Sequence, residues 1–275
     1  MKSYANHLVT TRSFGEELPK TYKPTMRSSA IFPLKVVAGK LDTVCTFMGY
    51  WLRKRNINAV TVLLTIHDEN GSKLRVSSHL VDSTRSFVFR ASQLVSGLHS
   101  SNNFVGSIKI DIFSAVDMVF PYPAITFAYE SLRGTTFVHT CGRVYNDFDD
   151  LKANESMVVP ETGFDVYVAN NLTPFFSFVN GPLEMVEEGY VIELIDEKGT
   201  VRTLERKIKH LSSYATAWLP IFENKKEKEG LSGDKLTVKV KHQFKGFFPR
   251  FVAGNVLNED EAISLTHSYY DTSVD

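Results

Sequence analysis

Cysteine is nearly missing from this 275-residue chain: there are two, Cys45 and Cys141, both within the first 150 residues. A disulfide built into a repeated fold would recur in both halves, so two reduced thiols acting as small apolar side chains are expected. Charge of one sign is also missing. The 31 Lys and Arg are matched by 31 Asp and Glu, which leaves no global field to gather a polyanion and sets nucleic acid aside as a partner. No run reaches the roughly 18 to 20 apolar residues of a membrane helix, so no membrane partner is expected. Residues 1–30 lack the apolar middle of a secretory signal, and a soluble, cytoplasmic protein is the expectation. Motifs of known chemistry are missing as well. The chain contains no phosphate-binding glycine loop, dinucleotide fingerprint, GxSxG elbow, HExxH or paired CxxC, so neither a cofactor nor a metal is expected.

What the chain does contain is the same set of anchors twice. Asp68-Glu69-Asn70-Gly71-Ser72 recurs as Asp196-Glu197-Lys198-Gly199-Thr200, Phe120-Pro121 as Phe248-Pro249, and Val138-His139-Thr140 as Thr266-His267-Ser268. The offset is 128 residues in each case (68 to 196, 120 to 248, 139 to 267). Three ordered matches at one offset point to duplication. The expected organisation is an N-terminal arm over 1–27, a first domain over 28–150, a linker over 151–157 and a second domain over 158–275.

Within each copy the pattern is that of short strands. Ala59 to Ile66 is rich in branched residues and stops at Asp68-Glu69-Asn70-Gly71, where Asn and Gly accept positive φ at low cost, so a hairpin is expected there and at its copy. Ser107 to Ile112 alternates polar and apolar residues, and so does Lys235 to Lys241, which turns Ile108, Ile110 and Ile112 toward one core and Leu236, Val238 and Val240 toward the other. Cys45 to Trp51 lies over Thr173 to Val179 at the same offset, an aromatic-rich early strand in each copy. With about seven strands per copy and no long helical period, the fold class is all-β: two tandem, homologous Ig-like or jelly-roll-type β-sandwich domains from an internal duplication. Short helices are expected only in connections, for example near Ala91 to Val95.

Candidate ligand-binding residues cluster around the repeats. His139 precedes Arg143, and His267 precedes Tyr269; an imidazole beside a guanidinium or a phenol can read a polar ligand or move a proton, or simply pin the packing of a strand edge. Tyr122 and Arg250 sit on the two proline-stiffened Phe-Pro loops, where an aromatic or a planar cation can stack on a sugar or dock into a partner. No residue is assigned a catalytic role.

The histidine-bearing end of each repeat, Val138-His139-Thr140 and Thr266-His267-Ser268 with polar residues after it, resembles the end of the small β-sandwich transducer proteins that accompany microbial sensory rhodopsins. It spans about a dozen residues per copy. The resemblance implies a binding or signalling module that oligomerises and has no catalytic residues. Three readings stay open: a non-enzymatic binding protein recognising a glycan or a protein, an enzyme using His139 or His267 as acid or base in an interdomain site, and a structural subunit of a larger, homo-oligomeric assembly.

Overall fold

The computed structural model describes residues 24–98, 103–118, 123–139, 143–144, 161–244, 247–248, 251–259 and 261–271. Arg143, Val144, Phe247, Phe248 and residues 269–271 are described by their backbone alone. Tyr122, Cys141, Arg250 and the expected linker at 151–157 lie outside the described residues. Among those described, no helix is long and apolar enough to cross a membrane.

The chain is built almost wholly of antiparallel strands. The first half runs β1 (Arg27–Val37), β2 (Leu41–Met48), β3 (Val60–Asp68), β4 (Lys73–Val81), β5 (Ser86–Arg90), β6 (Asn103–Phe113), β7 (Thr126–Ser131) and β8 (Gly134–His139), followed by the short β9 (Arg143–Val144). Two one-turn helices, α1 (Tyr50–Lys54) and α2 (Ala91–Leu94), sit in its connections, the second where the sequence placed one. The second half runs β10 (Glu161–Tyr167), β11 (Leu172–Val179), β12 (Met185–Ile195), β13 (Val201–Leu211), β14 (Thr216–Pro220), β15 (Lys235–His242), β16 (Phe247–Phe248), β17 (Val252–Leu257), β18 (Ala262–His267) and β19 (Tyr269–Asp271).

Strand order is the same in both halves. In the first, β4-β3-β6-β1 forms one layer and β5-β2-β7-β8 the other, joined into one sheet by the β1–β2 hairpin pair Val37 and Leu41. In the second, β13-β12-β15-β10 and β14-β11-β17-β18 are separate sheets, with β19 added beside β10. The first sandwich thus has eight strands and the second the same eight plus β19, where the sequence suggested about seven in each. Register repeats too: His139 lies opposite Thr126, the first residue of β7, and His267 opposite Val252, the first residue of β17.

The two hairpin turns are closed by the same bonds. The Asp68 carboxylate accepts the backbone N–H groups of Asn70 (3.0 Å) and Ser72 (2.8 Å), and Asp196 accepts those of Lys198 (2.9 Å) and Thr200 (2.8 Å). Gly71 and Gly199 take φ of +87° and +78°, which is why glycine recurs there. Asp196 holds one more donor, the N–H of Ser232 at 2.9 Å on the loop before β15. Partial burial alone would raise its carboxyl, but the N–H groups of Ser232, Thr200 and Lys198 outweigh that and hold it below the ordinary carboxylate range. Asp196→Ala is therefore expected to lower the melting temperature by a few degrees more than Asp68→Ala, measured by calorimetry under identical conditions.

The alternating strands face as expected: Ile108, Ile110 and Ile112 are fully buried, as are Leu236, Val238 and Val240. Burying each such side chain stabilises by about 1.5–3 kcal/mol. Two expectations are corrected. The aromatic early strands match at an offset of 131, not 128: Cys45 pairs with Phe127, and its structural counterpart Phe176 pairs with Ala253. The connection before β11 is one residue longer than that before β2, and β10 itself is displaced. Second, the polar phase of β6 is not a solvated face. Ser107 and Asp111 are buried, whereas on β15 Lys235, Thr237 and Lys241 stay exposed.

The cause is the way the halves pack. The outer face of β11, β14 and β17 carries Phe175, Trp218, Val252 and Val256, which join the core of the first half. In return Ile31, on the outer side of β1, joins the core of the second. The last strand of each sandwich, β8 and β18, lies beside its counterpart, where the Thr136 hydroxyl donates to the Ile263 carbonyl (2.9 Å).

Candidate ligand-binding site

The seam between the halves gathers the repeated histidines. His139 ends β8 and His267 ends β18, and their rings meet edge to face with centroids 5.0 Å apart. Two residues chosen from the sequence because they are 128 apart are therefore neighbours in space. His139 is exposed and His267 half-buried. Nδ1 of His267 lies 3.2 Å from the Ser268 carbonyl, a contact that favours the Nδ1–H tautomer. The adjacent Ser268 is buried, and its hydroxyl accepts the Phe251 N–H at 2.8 Å, which anchors the end of β18 to β17.

The other predicted residues divide. Arg143 lies on β9, whose backbone pairs with β16, Phe248 opposite Arg143. The segments that carry Arg143 and Phe248 are thus joined across the halves. Tyr269 lies on β19, opposite Gly163 of β10.

His267 also lines a cleft of about 560 Å³ that runs along the open edge of the second sandwich between β10, β15 and β18. Sequence reasoning missed this cleft. Its most exposed ring is Tyr167, 58% accessible at the end of β10. That strand end is fixed by Asn255 of the opposite sheet, whose side-chain amide accepts the Tyr167 N–H (2.9 Å) and donates to the Tyr167 carbonyl (2.6 Å), standing in for a missing strand neighbour. Two ion pairs cross the cleft floor, Lys235 with Asp165 (2.9 Å) and Lys239 with Glu161 (3.0 Å). For Asp165, partial burial would raise the carboxyl, but Lys235 and the Thr237 hydroxyl (2.7 Å) outweigh it and hold the group below the usual carboxylate range. The hydroxyls of Thr237, Ser264 and Thr266 complete the polar lining.

No family model matches this chain, and no curated protein matches it. Among solved structures it is similar to a β-glucuronidase from Bacteroides uniformis, at 9% identity and a TM-score of 0.20, covering 93% of this chain and 27% of that one. It is also similar to a β-glucuronidase from glycoside hydrolase family 2, at 8% identity and a TM-score of 0.17, covering 88% and 24%. The chain spans about a quarter of those enzymes. Likeness at that level carries no argument about what this chain binds.

A second polar cluster, also missed, lies deeper in the seam. Asp111 accepts from Arg27 at 2.8 Å and pairs with Lys109 at 3.5 Å. The Lys109 ammonium sits 5.1 Å from the centre of the Tyr214 ring, and His67 stacks on that same ring at 5.0 Å and 12°. Burial lowers the Lys109 pKa against the pull of Asp111. Burial, reinforced by Lys109, lowers that of His67 to about 4. The cluster joins the halves through Tyr214, whose ring meets both the Lys109 ammonium and the His67 ring. Among the described residues, no group of three or more His, Cys, Asp or Glu side chains is placed to hold a metal.

Proposed function

We propose that the chain is a non-enzymatic, internally duplicated β-sandwich protein that binds a glycan in the cleft beside His267. The observation that carries this reading is the cleft's composition. One exposed ring, Tyr167, stands over hydroxyls and two lysine–carboxylate pairs whose charges cancel. A neutral array rich in donors and acceptors beside an aromatic plate suits a polyol, whose ring face stacks while its hydroxyls find partners. A polyanion would meet no net attraction there. Hydrolysis of a glycosidic bond calls for one carboxyl kept protonated and one ionised, and Glu161 and Asp165 are each paired with a lysine.

The test is a glycan array on the full chain, followed by calorimetric titration of the best ligand. Tyr167→Ala is expected to weaken binding by about tenfold or more, equivalent to at least 1.4 kcal/mol, and His267→Ala to weaken it as well. An empty array, or a Tyr167→Ala variant that binds like the wild type, would overturn the assignment.

A further inference from the structure

The face of the second sandwich that packs on the first is used once; its counterpart on the first sandwich is open. By strand register, Val44 stands where the second half has Phe175, Val88 where it has Trp218, Phe137 where it has Leu265, and Met48 where it has Val179. In the second half Phe175 and Val179 are buried, and Trp218 packs against the core of the first half. In the first half Met48, Val88 and Phe137 are 56%, 56% and 64% exposed. They flank a shallow trough floored by Val44 and Ala128, with Phe137 on β8 and Val88 on β5 at opposite margins of the four-strand face.

We propose that this face, formed by the outer side of β5-β2-β7-β8, is a homodimer interface, and that its occupant is the same face of a second copy of the chain. Two observations select that occupant. The face is continuous with an interface the fold already makes, because His139 lies in the row beside Phe137 and touches His267 across the seam. Its charges are self-complementary. Arg90, at one end of the Val44 row, sits 2.6 Å from Glu130 and 3.8 Å from Asp42, so a twofold axis through the trough brings each guanidinium toward the other copy's carboxylates. The alternative, a head-to-tail stack on the outer face of β10 and β15, sets Phe137 against Lys235, Lys239 and Lys241 and their carboxylates, which a hydrophobic contact would have to desolvate.

The size of the face sets the strength. Four strands about 4.8 Å apart, each presenting about six residues, project to roughly 400 Å². Two such faces bury roughly 800 Å² in all, below the roughly 1,200–2,000 Å² of stable interfaces and in the range of weak, transient ones, so association is expected only toward high micromolar concentration. This inference does not rest on the glycan reading, and its readout is mass.

Sedimentation velocity on the full chain, from about 1 to about 500 µM, is expected to show the weight-average mass rising from 31.0 kDa toward twice that value. Phe137→Glu and, separately, Val88→Glu are expected to raise the dissociation constant at least tenfold. Both positions are exposed, so circular dichroism and melting temperature should stay as in the wild type. Val201→Glu, at an exposed valine of the other sandwich, should leave association unchanged. A chain that stays monomeric throughout, a dimer indifferent to Phe137→Glu, or a dimer equally weakened by Val201→Glu would overturn the proposal.

Discussion

Gly71→Ala is expected to destabilise the chain by about 4 kcal/mol, and Gly199→Ala, at the matching position of the second hairpin, by about 1 kcal/mol. Both glycines hold a positive φ that a side chain adopts at a cost. They differ in what surrounds them. A methyl group on Gly71 would lie 2.0 Å from the Ser213 carbonyl oxygen, 2.7 Å from the Ala215 nitrogen and 2.9 Å from the Tyr214 carbonyl carbon, all of them backbone atoms of the other half. On Gly199 it would meet nothing within 4 Å. The Gly71 turn is docked: the Thr216 N–H donates to the Glu69 carbonyl at 2.9 Å, and Tyr214 lies on His67 just behind it. Relieving the clash means pushing the 213–215 loop away and loosening those contacts with it. Urea unfolding of the two variants isolates the seam, since the conformational cost is shared and cancels in the difference. Equal losses for both would show that the turn does not bear on the second half.

That pair of glycines also marks how far the sequence could be read. The hairpins were legible because an Asp-x-x-Gly turn needs a carboxylate to cap its N–H groups and a residue free to adopt positive φ, and both needs leave fixed residue types at fixed spacing. The period-two strands were legible for the same local reason. The histidine match proved spatial as well, because β8 and β18 end in the same register and lie side by side. The docking of the halves was not legible. Ser107, Lys109 and Asp111 occupy the polar phase of β6 as Lys235, Thr237 and Lys239 occupy that of β15, and no local pattern tells a polar face that meets solvent from one that meets a neighbour supplying Tyr214. The shift of register in β2 and β11 was hidden because two short aromatic-rich segments can be laid over one another at more than one offset. The cleft escaped because Tyr167 and Asn255 are joined only by the edge-to-edge approach of two sheets.

Stability is expected to fall steeply as pH drops from about 6.5 to about 4, by as much as about 3 kcal/mol for each of two buried histidines. Both His67 and His242 have their pKa lowered to about 4. For His242 the cause is burial: the ring stacks on Phe244 at 4.6 Å, and its Nδ1 accepts the Phe244 N–H at 3.2 Å, a bond that protonation of that nitrogen abolishes. For His67 burial comes first, and Lys109 adds to it. Lys73 also opposes protonation, and Asp68 and Asp111 favour it. The sign follows from proton binding. Between the folded value near 4 and the unfolded value near 6.5, the unfolded chain holds more protons at these rings than the folded one, so acid draws the equilibrium toward unfolding. Each ring contributes a slope of about 1.4 kcal/mol per pH unit inside that window and none beyond it. Asp196 behaves oppositely in range: its carboxyl is held low, so its contribution is present above about pH 4 and is lost only below it. Urea titrations at pH 7, 6, 5 and 4.5 should resolve the slope. The double variant His67→Phe with His242→Asn keeps a ring on Tyr214 and an acceptor near the Phe244 N–H while removing both titrations, and should flatten the profile in that window. An unaltered slope in the double variant would assign the acid sensitivity to other groups and show that the seam and the second core tolerate a charged imidazole.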